Sequence, residues 1–320
     1  MKRFIFLLIS FFCLSMTYSQ NYSMEKLKKY AFANLRDRIE DSTFWNKVHA
    51  IEFIIDLGEN KIAKCLLENN LRKFETEPQK RIGYWRCMAL NENNEKAKYK
   101  YIKKILDVYL NTNSSDIIHA AESLAKLSIS LVPYSDSKTM EGEYNNLLEA
   151  YYNWTSIYTV DNGSLISYDR LYEFLSSENI EQREIIAYGT KYLGKVDSCN
   201  WNYLADLALN ESMESLVGVY LLCGVYTTCP DSERNNHKTK VIGNRIKEII
   251  LDGNLKNKFE AFVALGSFSN PCDADFIKNK MLEFNSNKNK TNNGHNEKDL
   301  DLLSAISYAF LKTTNNNNKQ

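Results

Sequence analysis

Proline and glycine are scarce: 4 and 12 in 320 residues. So few turn formers, beside many Leu, Ile, Tyr, Lys and Glu, exclude a turn-rich β architecture and favour helices. Net charge is missing too. Removing Lys2 and Arg3 with the leader takes the basic count from 40 to 38, against 40 acids. That balance gives no general pull toward nucleic acid or anionic lipid. No Cys-x-x-Cys occurs, so neither a zinc knuckle nor a redox pair is indicated. Nor is there a nucleophile elbow, a phosphate-cradling glycine loop or a His-Glu-x-x-His motif. No cofactor or metal is expected. Beyond the leader, no stretch approaches the roughly 18 to 20 apolar residues that a membrane span requires.

The chain begins with Lys2 and Arg3, an apolar run from Phe4 to Met16, and Thr17-Tyr18-Ser19, with small residues placed for a cut after Ser19. This is the pattern of an export signal over residues 1–19. Phe11-Phe12 before Cys13 argue against a lipid-modified cysteine, so the expectation is a soluble periplasmic or extracellular protein with no membrane insertion after cleavage. Six cysteines then remain: Cys65, Cys87, Cys199, Cys223, Cys229 and Cys272. Cys223 and Cys229 are the pair best spaced for a local disulfide, while Cys65, Cys87 and Cys223 sit in apolar helical context, where a thiol packs as a small hydrophobe.

What the sequence does contain is repetition. Asp116-Ile117-Ile118-His119-Ala120-Ala121-Glu122-Ser123-Leu124 has close variants at Lys47-Val48-His49-Ala50-Ile51-Glu52 and Arg183-Glu184-Ile185-Ile186-Ala187-Tyr188. Each carries apolar side chains at three- and four-residue spacing, the mark of a helix with one apolar stripe. A lone helix of this kind cannot bury its stripe, so repetition implies stacked neighbours. The small residues Ala50, Ala120, Ala187, Gly218, Ala261 and Ala305 mark successive units, with intermediate units at Tyr84-Trp85 and Ala150-Tyr151. About eight helical hairpins result. Residues 285–298, rich in Asn and Lys, predict a disordered loop, and 315–320 a frayed tail.

With Lys47, Arg183 and Lys258 at a basic position, Ala50, Ala120, Ala187 and Ala261 at a small one, and Leu57-Gly58 and Leu193-Gly194 as endings, the chain resembles the HEAT-repeat or armadillo-like family. The copy around His119 departs from it, with Ile117 at the basic position and Ser128 at the end. The resemblance implies a right-handed α-α superhelix over residues 20–314. The tetratricopeptide alternative lacks its Trp-x-x-Leu-Gly-x-x-Tyr signature here. A closed α/α toroid, a fold that often serves carbohydrate-active enzymes, is the other alternative, and contact between the first and last helices would favour it.

His-x-x-Glu is the polar pattern that recurs intact, at His49/Glu52 and His119/Glu122. Two units apart, the pairs would stand about 20 Å apart at about 10 Å per layer, too far to share an ion. They are expected to bond across helix junctions. Between them Arg81, Trp85 and Arg86 combine two carboxylate-gripping forks with a flat apolar face. The other reading puts Trp85 in the core and pairs the arginines with acids of neighbouring units. In a superhelix the second helices line the concave face, so the resemblance places His49, Glu52, Arg81, Trp85, Arg86, His119 and Glu122 on one strip. That strip would bind a protein segment or an extended charged glycan without catalysis, the copies at Gly218, Ala261 and Ala305 serving as scaffold. A lyase or hydrolase on a toroid, using Tyr, His, Arg and Glu, is the competing class.

Overall fold

Every stretch with the three- and four-residue apolar rhythm folds as a helix. The computed structural model describes residues 23–41, 43–111, 116–134, 144–158, 166–288 and 297–315; the expected export signal over residues 1–19 and the end of the tail lie outside the described residues. The elements are α1 (Met24–Asp41), α2 (Phe44–Asp56), α3 (Asn60–Leu66, continued by one π turn, Leu67–Leu71), α4 (Lys80–Asn91), α5 (Glu95–Asn111), α6 (Asp116–Lys126), α7 (Tyr144–Ser156) and α8 (Tyr168–Leu175). They continue as α9 (Ile180–Gly189), α10 (Ser198–Asn210), α11 (Leu216–Thr227), α12 (His237–Asp252), α13 (Leu255–Phe268), α14 (Ala274–Lys288) and α15 (Glu297–Asn315). Among the described residues the fold is all-α, and Tyr158 and Ile166 form an isolated bridge. No described helix is long and apolar enough to cross a membrane.

Local signals explain the boundaries. Asn179, Asp197, Ser215, Asn236 and Asn254 each accept a backbone N–H from the first turn of α9 to α13, filling donors that a helix start leaves open. Thr43 occupies the same place before α2 but makes no such side-chain bond; Ser42 is outside the described residues. At the other end the repeat is sharper than its sequence. Seven or eight residues after Ala50, Ala120, Ala187 and Ala261 the backbone turns left-handed, at Gly58, Ser128, Gly194 and Ser269. All four units therefore stop the same way, two with glycine and two with serine. A Cβ at Gly58 would meet nothing within 4 Å, so Gly58→Ala isolates the backbone strain. It should cost about 1 kcal/mol in urea unfolding; a neutral substitution would contradict the left-handed stop.

The stripes pack in a closed order. Helices α2, α4, α6, α7, α9, α11, α13 and α15 each contact the next, and α15 packs back on α2. The remaining helices cover their junctions: α1 lies on α2 and α15, α3 on α2 and α4, α5 on α4 and α6, and α12 on α11 and α13. The ring helices run parallel. His49 meets Asp301 early in α2 and α15 while Asp56 meets Tyr308 a turn or two later, and Tyr220 meets Tyr188 before Gly224 reaches Thr190. Phe262, Trp154, Trp201, Tyr308 and Phe310 are fully buried at these junctions, and the Trp201 indole donates to the Val225 carbonyl at 2.8 Å.

Three expectations change here. An open superhelix keeps its ends apart, but Lys28 of α1 donates to the Thr314 carbonyl at 3.1 Å and Asn34 to the Ser307 hydroxyl at 3.1 Å. The loop expected over 285–298 is shorter, since α14 runs to Lys288 and α15 begins at Glu297; residues 289–296 are outside the described residues. All six cysteines beyond the leader are free thiols. Cys223 is buried in α11, whereas Cys229, past its end, lies against the Thr239 hydroxyl and the Pro230 carbonyl, so no Cys223–Cys229 bridge is formed.

Candidate functional site

Closing the ring of parallel helices leaves a central chamber of ≈ 1190 Å³, lined from α2, α4, α6, α9, α11, α13 and α15. Its walls mix charge and aromatic surface. On α2, Glu52 accepts from Arg86 Nε of α4 at 2.7 Å, and Arg86 Nη1 donates to the Ser123 hydroxyl of α6 at 3.0 Å. One turn past Glu122, Lys126 Nζ donates back to Glu122 Oε1 at 2.6 Å. Lys191, in the turn after α9, donates to Glu260 of α13 at 2.7 Å. Charges this far from water persist because each is answered. Tyr188, Tyr192, Tyr220 and Phe259 supply the flat surface.

Burial works against ionisation of Glu52, yet Arg86, Lys126 and His49 outweigh it and hold the carboxyl below its ordinary value. Glu122, half-buried like Glu52, feels the same opposing effect, but Lys126 and Arg86 bring it down to about 2. Burial disfavours the charged form of Arg86, and Glu52 and Glu122 reverse this and raise its proton affinity. Burial pushes the phenols of Tyr188 and Tyr192 well up. A carboxyl whose folded value is depressed stabilises the fold above its unfolded value and loses that contribution as pH falls through the folded one. Glu52 and Glu122 should therefore weaken the protein by on the order of 3 kcal/mol between about pH 5 and about pH 2. Urea midpoints across this range should fall less steeply for Glu122→Gln, and identical slopes would contradict the assignment.

The strip expected from the sequence divides. His49, Glu52 and Arg86 line the chamber. Glu122 stands behind it, bonded to Lys126, with His119 Nδ1 at 3.9 Å from Glu122 and the His119 ring stacked on Trp45 at 5.0 Å. Arg81 and Trp85 face the other way. Arg81 pairs with Asp116 of α6 at 2.8 Å. Trp85 is 8 % exposed, its indole donating to Glu75 and its ring lying under Lys104 of α5. Positions 81 and 85 share one face of α4 and 86 and 90 another, about 100° round, and it is the second that meets the chamber. The seven residues therefore do not meet in one place: Arg81 and Trp85 stand outside the chamber, beside Lys104 and Asn111. The copies at Gly218, Ala261 and Ala305 also reach the chamber, through Tyr220, Phe259, Glu260 and Tyr308, and the copy at Ala187 adds Tyr188, Lys191 and Tyr192.

Comparison with known proteins finds no matching family model, characterised protein or solved structure. The chamber is therefore read from its own chemistry. Among the described residues no three His, Cys, Asp or Glu side chains are gathered as a metal site would need. His49 is held by Asp301 Oδ1 at 3.4 Å and by the Phe259 ring at 5.6 Å, which joins α2 to α15 and α13. His-x-x-Glu thus serves helix junctions in both copies. The arrangement offers fixed donors and acceptors around apolar rings, the makeup of a site that orients a polar ligand by several bonds at once.

Proposed function

We propose that the chain is an exported α/α toroid-like ring that binds one compact, hydroxyl-rich ligand, of the size of a short oligosaccharide, in its central chamber. The observation that carries this is the chamber: ≈ 1190 Å³ with six tyrosine and phenylalanine side chains among paired charges. That volume lies just above the range of about 300–1,000 Å³ that suits drug-sized molecules. Of the two ligands the sequence suggested, an extended protein segment needs an open groove, and the contact of α15 with α1 and α2 leaves none between the chain's ends. A glycan needs ring faces to stack on and bonds for its hydroxyls. Both are at hand.

Holding is favoured over chemistry by the electrostatics. Glycosidic cleavage calls for a carboxylic acid kept protonated near neutral pH, whereas Glu52 and Glu122 are held ionised. Elimination by a tyrosinate calls for a phenol that ionises easily, whereas Tyr188 and Tyr192 are pushed the other way. Titration calorimetry against a panel of short oligosaccharides is the test. One ligand per chain should bind, and Phe259→Ala should weaken it about tenfold while melting is retained, the loss of one stacking face being worth about 1.4 kcal/mol. Binding that ignores this substitution, or cleavage of any panel member, would overturn the reading.

A further inference from the structure

One wall of the chamber differs from the rest. Lys126 at the end of α6, Lys191 after α9 and Lys256 in the first turn of α13 bring three ammonium groups to three contiguous tyrosine rings. Lys191 Nζ is 3.9 Å from the Tyr188 centroid and 5.3 Å from that of Tyr192. Lys126 Nζ is 5.4 and 5.9 Å from the same two. Lys256 Nζ is 5.5 Å from Tyr220, whose ring meets Tyr188 edge-on at 5.3 Å. The rings offset part of the cost of gathering like charges, since a cation over an aromatic face is attracted by its quadrupole. They do not neutralise it.

Two carboxylates answer this wall, Glu122 on Lys126 and Glu260 on Lys191. Lys256 is exposed and has no described carboxylate within ion-pair distance, its partner being the Tyr220 hydroxyl. The other charged groups of the chamber lie elsewhere and are already engaged: Arg86 with Glu52, Asp56 with Lys312, Asp301 with His49. Each ammonium has three N–H donors and Lys126 and Lys191 each spend one on a carboxylate, so donors remain on the chamber side of the ledger of bonds. Burial, with Arg86 beside it, holds Lys126 below its ordinary proton affinity although Glu122 and Glu52 act the other way.

Resting on the glycan reading above, we infer that the ligand is an acidic sugar whose carboxylate or sulfate is received by Lys126, Lys191 and Lys256 while its ring lies on Tyr188, Tyr192 and Tyr220. Lysine presents a point charge rather than a planar fork, so the wall suits either anion, and the two sources are separated by experiment. Calorimetry should compare neutral, uronate-bearing and sulfated oligosaccharides of equal length at low and high salt. The acidic members should bind at least about tenfold tighter than the neutral one, with the advantage shrinking as salt rises. The stronger of the two acidic arms identifies the anion. Lys256→Met, at an exposed position where folding is not at risk, should cut the preference for acidic ligands several-fold, and Lys191→Met should cut it further. Equal affinity for neutral and acidic members, or a preference that survives Lys256→Met in full, would overturn this inference and leave the chamber as a neutral-sugar site. Binding of none of the three would remove the inference together with the reading it rests on.

Discussion

Glu52→Ala should cost about 3–5 kcal/mol in chemical denaturation, the usual penalty for removing one partner of a buried ion pair. Arg86 is only 3 % exposed, and its Nε–H to Glu52 is its charge-assisted bond across the α2–α4 junction. Without Glu52 the guanidinium keeps Ser123 as a neutral acceptor and remains buried with no carboxylate bonded to it, only Glu122 acting on its charge from farther off. Against a total stability of about 5–15 kcal/mol, this is a large share. Glu52→Ala with Arg86→Met should be less damaging than Glu52→Ala alone, because the second change removes the stranded charge and leaves an apolar stem in its place. A single variant within about 0.5 kcal/mol of the parent, or a double variant no better than the single, would contradict the pairing.

Gly266→Leu should be the most disruptive single change at the ring's closure. A Cβ at Gly266 in α13 would lie 2.6 Å from a Tyr308 ring carbon and 2.9 Å from the Ala309 Cα in α15. The second neighbour is backbone and cannot rotate aside, so the helices must separate. Tyr308 anchors this region, donating to Asp56 at 2.6 Å and stacking on Phe53 at 4.6 Å. Even Gly266→Ala should lose about 1–3 kcal/mol, the usual cost of overpacking, and Gly266→Leu more. Small-angle scattering of a still-folded variant should show a larger radius as α15 moves off α13. Unchanged stability for both variants would mean that the helices are not in contact at this point.

Helices were legible in the sequence because their signal is local. Apolar spacing marked α2, α6, α9 and α13, and the Leu57-Gly58 and Leu193-Gly194 endings marked their stops. The left-handed stops at Ser128 and Ser269 were hidden, since serine gives no sign of the conformation it is forced into. Ring closure was not legible. It depends on small rotations summed over many junctions and is fixed by contacts such as Asn34 with Ser307, 273 residues apart in sequence. The site was half legible for a related reason. Recurrence singled out His49 and Glu52, which do line the chamber, and Arg86, which shares a helix face with Leu90 four residues on; Arg81 and Trp85 share another face. Lys191 and Glu260, 69 residues apart, carry no local mark. Tyr188 and Tyr192, one turn apart, were the available sign of a second aromatic face in the C-terminal half.

The closed ring is the claim on which the chamber and both proposals depend, and an engineered cross-link tests it most directly. Asn34 and Ser307 approach side chain to side chain at 3.1 Å across α1 and α15, close enough for a short thiol-to-thiol cross-linker to span. Asn34→Cys combined with Ser307→Cys should be joined by a short bifunctional maleimide between these two positions, identified by peptide mapping, and the linked protein should unfold at higher denaturant concentration than its unlinked form. Thiols that stay unlinked at both positions, or that are linked to other cysteines while the protein remains folded, would contradict closure and return the chain to an open superhelix.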